Sequence, residues 1–211
     1  MKACRVVEPG KAEPIDISEP NPQEPETVVA VERLGLCGTD LRTYTGQNPI
    51  VTYPRIIGHE IGARLTETTE IGGTSYPNGT VVTINPYTSC GKCAACKNGR
   101  SNACRYNETL GNQRDGAGRE RFAIDPEKLY PLPGLSTDAA AAVEPLSVGF
   151  HAAARGAVTA KDTVVVLGTG VIGLGAVAGS AARGARVVAI DLDDRKLNVA
   201  KALGASTTIN G

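Results

Sequence analysis

The stretch TVVVLGTGVIG, residues 163–173, decides the fold class of this 211-residue chain. Its β-branched beginning predicts a strand, and the three glycines behind it predict a tight turn that opens a helix. In such a unit Gly168 allows the turn, Gly170 lets the backbone approach a pyrophosphate, and Gly173 lets the helix pack closely on the strand. The sequence therefore predicts a dinucleotide-binding unit with the phosphates at the N-terminus of the helix.

The uncharged run that contains this motif, residues 163–182, also has the length of a membrane span. Its five glycines and the internal turn signal favour strand, turn and helix instead. The N-terminus shows no apolar run behind a basic leader, so we expect a cytoplasmic protein with no membrane segment. Lys and Arg together number 22, as do Asp and Glu, and Trp is absent, which predicts no nucleic-acid partner.

Strands and helices alternate from residue 163 onward. The sequence predicts strands over 163–167, 186–190 and 207–209 and helices over 171–183 and 193–203, the opening of a doubly wound parallel sheet. Asp191 follows the second strand and predicts an acceptor for the adenosine ribose that repels a 2′-phosphate, so NAD is the expected cofactor. As an alternative, Asp191 is an acid near a helix N-terminus, ahead of Asp193 and Asp194.

Residues 1–155 have a different texture, with short β-like runs separated by proline and glycine. Strands are predicted over 28–36 and 80–84, and the proline-rich stretch 14–25 is predicted to be irregular. A helical pattern over 137–155 links the two parts, with Pro145 interpreted as a first-turn residue of its second run. We therefore expect a β domain over 1–155 and a dinucleotide-binding domain over 156–211.

Most of the cysteines form one group. Four of the six fall within fifteen residues, namely Cys90, Cys93, Cys96 and Cys104. A disulfide framework is typical of small exported domains, and a redox dithiol needs only one pair of cysteines. Four thiolates in a polar lobe, residues 90–104, suit a closed tetrahedral zinc site with no position left for a substrate. The sequence therefore predicts a structural zinc ion here.

Further candidate metal ligands are scattered along the chain: Cys37, His59, Glu60 and Glu144. Taken singly, the cysteine is typical of a small buried residue, and the carboxylates are typical of solvated or capping groups. Taken together, one thiolate, one imidazole and one or two carboxylates can hold zinc and leave a coordination position open.

The motifs around Cys37, His59, Glu144 and Gly168, with the cysteine lobe between them, resemble the zinc-dependent medium-chain alcohol dehydrogenases over the whole chain. Within that family the chain is most similar to the sorbitol, threonine and sugar-acid dehydrogenase branch, because Glu144 stands where the alcohol dehydrogenases proper carry a second zinc-binding cysteine. The resemblance implies a mixed α and β fold, with a GroES-like β domain joined to a Rossmann domain and the active site in the cleft between them.

The resemblance also implies a set of ligands and an activity. Cys37 and His59 would bind a catalytic zinc ion, with either Glu60 or Glu144 as carboxylate ligand, since family members exchange these carboxylates between the metal and a bridging water. The cysteine lobe would bind a second, structural zinc ion. The implied reaction is hydride transfer to NAD from a secondary alcohol, a small-molecule polyol, sugar acid or threonine-like substrate.

Residues near Cys37 gain roles from the same resemblance. Asp40 would orient His59, as metal-bound imidazoles commonly require. Thr39 would pass the hydroxyl proton outward, and its alternative role is a helix N-cap. Arg42 departs from the histidine often found next in this relay, which indicates either a different outer proton path or an anionic substrate.

The length of the chain predicts a truncated member of the family. Residues 161–211 suffice for the first half of a dinucleotide fold, and neither the strands that would seat the nicotinamide nor the segment that pairs subunits in this typically homo-oligomeric family is present. We expect no alcohol turnover by the 211 residues alone. The alternative function is that of a noncatalytic zinc-binding remnant of such an enzyme.

Overall fold

The computed structural model describes all residues 1–211, and the chain forms two compact units, Met1–Ala142 and Val143–Gly211. Both units combine helices and strands, so the predicted mixed α and β class is confirmed. Each unit has its own cluster of buried aliphatic side chains.

The first unit is built mainly from strands. They are Lys2–Glu8 (β1), Lys11–Asp16 (β2), Thr27–Gly35 (β3), Arg55–Ile56 (β4), Glu60–Leu65 (β5), Thr69–Ile71 (β6), Thr74–Tyr76 (β7), Val81–Ile84 (β8), Arg121–Ile124 (β9) and Leu129–Pro131 (β10), and the helices between them are Gly38–Tyr44 (α1) and Ala94–Lys97 (α2). Its largest sheet is antiparallel with the strand order β10-β8-β5-β3-β9, and a smaller sheet has the order β2-β1-β4.

The five-stranded sheet supplies the core of this unit and positions a pair of strand ends. Val29, Ile61 and Val82 are fully buried, each worth about 1.5–3 kcal/mol relative to an exposed side chain. The strands predicted over 28–36 and 80–84 are confirmed to within one residue at each end, as β3 and β8. Since β3 and β5 pair with Gly35 opposite Glu60, the end of one strand lies beside the start of the other.

The prediction of irregular structure over 14–25 is wrong for its first three residues, 14–16, which belong to β2. Pro14 lies within β2 and pairs with Cys4 of β1. β2 is the outer strand of its sheet, so the N–H that proline lacks costs no ladder hydrogen bond. The remaining residues of the stretch, 17–25, lie outside helices and strands as predicted.

The second unit alternates strands and helices. Its elements are Thr163–Leu167 (β11), Val171–Ala181 (α4), Arg186–Asp191 (β12), Asp194–Ala202 (α5) and Thr207–Asn210 (β13), preceded by the helix Thr137–Arg155 (α3), which begins in the first unit. The three strands form a parallel sheet in the order β11-β12-β13. All five predicted elements are confirmed, with ends that differ by at most two residues.

The two faces of this parallel sheet differ. Side chains from α4 and α5, among them Val177 and Leu197, bury one face together with Val187. On the other face Val165 is 60% exposed and Leu167 is 83% exposed. The helices therefore cover one face of the sheet only.

Helix α3 is continuous, so the interpretation of Pro145 as a first-turn residue is wrong. The helix continues through the proline because packing fixes its path. A Cβ atom on Gly149 would lie 2.2 Å from the backbone nitrogen of Ala176, and one on Gly175 would lie 2.4 Å from the carbonyl oxygen of Leu146. This backbone-to-backbone contact with α4 outweighs the hydrogen bond that a proline removes. None of the helices is both long and apolar enough to cross a bilayer.

Candidate metal and cofactor sites

Three of the four scattered ligand candidates come together in the first unit. Cys37 is the N-cap of α1, and His59 and Glu60 stand where β5 begins. One ligand atom from each of them lies within 4.8 Å of the other two. His59 and Glu60 are each only 6% exposed. We call this group the mixed site.

Glycine at position 35 makes room for the carboxylate of the mixed site. A Cβ atom there would lie 2.1 Å from Oε2 of Glu60, so no other residue leaves the carboxylate where it is. Gly58, with φ of +106°, packs closely on β3, because its Cβ would lie 2.7 Å from the side chain of Leu34. Glycine at position 35 therefore accommodates the carboxylate, and glycine at position 58 lets the backbone before His59 approach Leu34. Spacing along the sequence gives no signal for either role.

Asp40 joins the segments that carry Cys37 and His59. Its Oδ2 accepts a hydrogen bond from the backbone N–H of Cys37 at 2.9 Å, and its Oδ1 accepts one from the N–H of Gly58 at 3.2 Å. Oδ1 also faces Nδ1 of His59 at 3.9 Å, and that buried nitrogen has no hydrogen-bond partner. Burial raises the pKa of Asp40 above its ordinary value, although these donors and His59 oppose the shift.

The structure places the other predicted residues less decisively. Thr39 is exposed in the first turn of α1, and it is not the N-cap, because that position belongs to Cys37. Arg42 is exposed in the last turn of the same helix. Glu144 lies on α3 in the second unit, so its part in the mixed site stays a prediction. The same holds for the proton-relay role of Thr39.

The structure also brings together the four cysteines of the lobe. All are free thiols, and their sulfur atoms lie within 4.8 Å of one another. The Sγ atom of Cys93 is 3.5 Å from that of Cys96 and 4.0 Å from that of Cys104. In a tetrahedral site with zinc–sulfur distances of about 2.3 Å, the sulfur atoms lie about 3.8 Å from one another. The group therefore has the dimensions of a tetrahedral zinc site.

Backbone N–H groups point at the sulfur atoms of the lobe. Those of Cys90 and Tyr106 each lie 3.3 Å from Sγ of Cys104. The N–H groups of Cys96 and Arg105 lower the pKa of Cys93 to about 6, whereas burial raises the pKa of Cys96 to about 11. Metal ligation requires thiolates, and donors placed in this way stabilise them.

The glycine motif of the second unit has the predicted geometry. Gly168 follows β11 with φ of +85°, a conformation that favours glycine. A Cβ atom on Gly173 would lie 2.0 Å from the carbonyl oxygen of Gly168, which explains the need for glycine in the first turn of α4. Gly170 is the N-cap of α4 and no side chain caps it, so the first N–H groups of the helix stay available to an anion.

Asp191 stands at the C-terminal end of β12, beside that motif. Its Oδ2 accepts hydrogen bonds from the N–H of Thr169 at 2.6 Å and from its hydroxyl at 2.9 Å, and its Oδ1 accepts one from the N–H of Asp193 at 3.0 Å. The N–H of Thr169 contributes most to lowering the pKa of Asp191 to about 2. Thr169 is fully buried, and its role is not visible in the sequence because its partner lies on the next strand.

A cavity lies at the same ends of the parallel strands. It has a volume of about 470 Å³ and is lined by Leu167, Gly168, Ile190, Asp191, Leu192 and Gly211. In open parallel sheets ligands bind at the C-terminal ends of the strands. The cavity combines apolar walls with one ionised carboxylate, so it suits a ligand that has an apolar ring and hydroxyl donors.

The chain is similar to known proteins in both sequence and structure. Residues 23–134 match the alcohol dehydrogenase GroES-like domain, which is more than half of the chain. The chain is 36% identical to L-galactonate-5-dehydrogenase of Escherichia coli K12, over 82% of this chain and 50% of that protein. It is also 36% identical to sorbitol dehydrogenase of Bacillus subtilis 168, over 90% of this chain and 56% of that protein. The chain thus spans about half the length of these curated relatives.

Solved structures give the same result. An alcohol dehydrogenase, RspB, from E. coli CFT073 in complex with NADH superposes with a TM-score of 0.88 at 32% identity, over 99% of this chain and 62% of that one. A zinc-binding dehydrogenase from Sinorhizobium meliloti 1021 bound to NADP superposes with a TM-score of 0.89 at 31% identity, over 99% and 61%. The chain therefore belongs to the zinc-type alcohol dehydrogenase family.

Proposed function

We propose that this chain is the metal-binding and adenosine-binding part of an oxidoreductase that transfers a hydride from a secondary alcohol to NAD. The observation that carries the proposal is the buried group of Cys37, His59 and Glu60, whose ligand atoms lie within 4.8 Å of one another. The names of the relatives support a polyol, a sugar acid or a threonine-like compound as the small-molecule substrate.

The donor set of the mixed site fits zinc. It offers one thiolate, one imidazole and one carboxylate, which are zinc ligands and leave a coordination position open. Because Gly35 has no side chain, the space beside it is left for the carboxylate of Glu60. Glu144 is the other candidate carboxylate. Bound there, zinc supplies Lewis-acid chemistry that makes the hydroxyl group of an alcohol more acidic.

The residues around the mixed site orient the imidazole of His59 and provide a path for the proton. Asp40 faces Nδ1 of His59, which leaves Nε2 for the metal, and its hydrogen bonds to two backbone N–H groups fix the carboxylate. Thr39, two residues after Cys37 and exposed on α1, carries the hydroxyl proton outward. Exposed Arg42, three residues further along the helix, supplies a positive charge for an anionic substrate.

The four cysteines of the lobe hold a second zinc ion with a structural role. The four sulfur atoms would take all four coordination positions of a zinc ion, so none would be left for a substrate. The dinucleotide unit binds NAD through Gly168, Gly170, Gly173 and Asp191. The carboxylate, ionised at neutral pH and facing the 470 Å³ cavity, accepts from the adenosine ribose and disfavours the 2′-phosphate of NADP.

The test is an assay of a full-length enzyme that contains these 211 residues, because the 211 residues alone are not expected to turn over an alcohol. The enzyme is supplied with NAD and a panel of polyols, sugar acids and threonine. We expect a zinc-dependent rate that His59→Ala abolishes and that His151→Ala leaves in place, because exposed His151 is the only other histidine of the 211 residues and belongs to neither metal group. A rate that survives both metal removal and His59→Ala contradicts the proposal. Zinc bound by the lobe without turnover of any compound supports the alternative of a noncatalytic remnant.

A further inference from the structure

The segment Thr109–Gly118, here called the strap, follows the last cysteine of the lobe and lies against the mixed site. Its backbone N–H groups at Gly116, Ala117 and Gly118 donate to the carbonyl oxygens of Ile56, Gly58 and Ile57 at 2.7, 3.0 and 2.8 Å. A Cβ atom on Gly111 would lie 2.6 Å from the nitrogen of Gly58, and one on Gly116 would lie 2.4 Å from its oxygen. The strap therefore holds the backbone immediately before His59.

The strap is also connected to α1, which carries the other side of the mixed site. Asn112, only 6% exposed, accepts a hydrogen bond through Oδ1 from Nδ2 of Asn48 at 2.9 Å. The side-chain amide of Asn48 also donates to the hydroxyl of Thr43 at 2.9 Å. That hydroxyl is fully buried and donates to the carbonyl oxygen of Thr39, also at 2.9 Å. These bonds form a polar bridge from the strap to the first turn of α1.

At its other end the strap follows directly from the cysteine lobe. The N–H of Tyr106 donates to Sγ of Cys104 at 3.3 Å, and the N–H of Asn107 donates to the carbonyl oxygen of Cys104 at 3.2 Å. The side-chain amide of Asn107 then reaches the hydroxyl of Thr109 at 3.3 Å. The position of Cys104, which a metal bound in the lobe would fix, is thus linked by short contacts to the start of the strap.

We propose that Asn112 is a positioning residue of the mixed site, and that the strap transmits the metal state of the lobe to that site. The ligands of the mixed site belong to two segments, α1 and the start of β5. The strap is hydrogen-bonded to residues 56–58, just before β5, and it reaches α1 through Asn48. Metal affinity depends on the distance between these segments. The inference rests on the proposed function, because it takes Cys37 and His59 as metal ligands.

The first test uses the intact protein with Co²⁺ exchanged into the mixed site while zinc stays in the lobe. Asn112→Leu removes the acceptor and keeps the shape, so we expect Co²⁺ to bind about tenfold more weakly, with shifted d–d absorption bands. Asn112→Asp keeps the acceptor oxygen and should restore both. The control is Thr69→Val, which removes a hydrogen bond of another buried residue, 7% exposed, and should change neither.

If Asn112→Leu does not fold, Asn48→Ala breaks the same bridge from a less buried position and replaces it in the test. Unchanged affinity and bands in the bridge variant overturn this inference alone. Absence of Co²⁺ binding at the mixed site of the unaltered protein overturns the proposed function as well, so the two failures are distinguishable without measuring turnover.

The second test measures the transmission. Co²⁺ affinity at the mixed site is compared in the unaltered protein, Cys93→Ser, Asn112→Leu and the double variant. If the strap carries the effect, Cys93→Ser weakens binding in the unaltered background and weakens it much less once the bridge is broken. Equal effects in both backgrounds, or no effect of Cys93→Ser at all, overturn the transmission.

Discussion

The two groups of metal ligands are built in opposite ways. The lobe takes all four cysteines from one short segment, residues 90–104. The donors to its sulfur atoms are backbone N–H groups of the same segment or of the two residues that follow it. The mixed site takes its thiolate from the start of α1 and its other ligands from the start of β5, and it needs Gly35 and Asp40 to bring them together. A local site depends on its own loop, whereas an assembled site depends on the surrounding sheet.

The largest effect that tests this contrast is the loss of a whole metal ion. Under graded chelator we expect the zinc of the mixed site to leave first, because an open mixed site holds metal less tightly than four thiolates. Cys93→Ser should remove the lobe zinc, and His59→Ala should remove the zinc of the mixed site only. The measurement is metal content per chain. If His59→Ala leaves the zinc content unchanged, the mixed site is not a metal site.

The same contrast explains what could be predicted from the sequence. The residues of the lobe and of the glycine motif are neighbours along the chain, so their spacing indicates that they lie close together. The place of Pro145 within α3 depends on the close packing of α3 against α4, and that of Pro14 depends on its strand being outermost. Spacing along the chain does not indicate the place of either proline. The chemistry of Cys37, His59 and Glu60 and the family resemblance make these residues candidate ligands, whereas neither indicates the glycine that accommodates the carboxylate of Glu60.

A glycine substitution tests whether the mixed site depends on the surrounding sheet. The expected loss of metal affinity is smaller than the loss of a whole metal ion. Gly35→Ala would push the carboxylate of Glu60 away, and we expect metal affinity there to fall by about 10- to 100-fold while the lobe keeps its zinc. The matched control is Gly38→Ala, because a Cβ atom on Gly38 meets nothing within 4 Å. Chelator competition measures both variants. Equal affinities in the two variants would show that the carboxylate is free to move.

The second unit shows the same contrast between local and assembled sites. Its glycines are neighbours along the chain, whereas Asp191 is hydrogen-bonded to Thr169, 22 positions away. In the intact protein we expect Asp191→Ala to weaken NAD binding by about tenfold and to relax the discrimination against NADP. Asp194→Ala is the control, because that carboxylate accepts from Asn210 at 2.8 Å and does not line the cavity. Binding titrations with both cofactors measure the effect, and unchanged discrimination would remove Asp191 from the ribose site.

The smallest effect is a dependence of stability on pH. Because the pKa of Asp191 is lowered to about 2, its ionised form stabilises the fold fully above the pKa of the unfolded chain, about 3.9, and this contribution is lost as the pH falls toward 2. Asp191→Asn should therefore have a lower melting temperature than the unaltered protein at neutral pH. The difference should narrow below about pH 4. Thermal unfolding between pH 7 and pH 2 measures it, and a constant difference would show that the hydrogen bonds do not depend on ionisation.

The close approach of Glu60 to Gly35 has an evolutionary consequence. A single change at position 35 displaces the carboxylate, and a single change at position 60 leaves an unfilled space beside the backbone, so neither residue is free to vary while the other stays. Positions 35 and 60 are therefore expected to change together among related proteins. Relatives with a larger residue at the first position should carry a shorter side chain at the second, and they should take their carboxylate ligand from elsewhere in the chain.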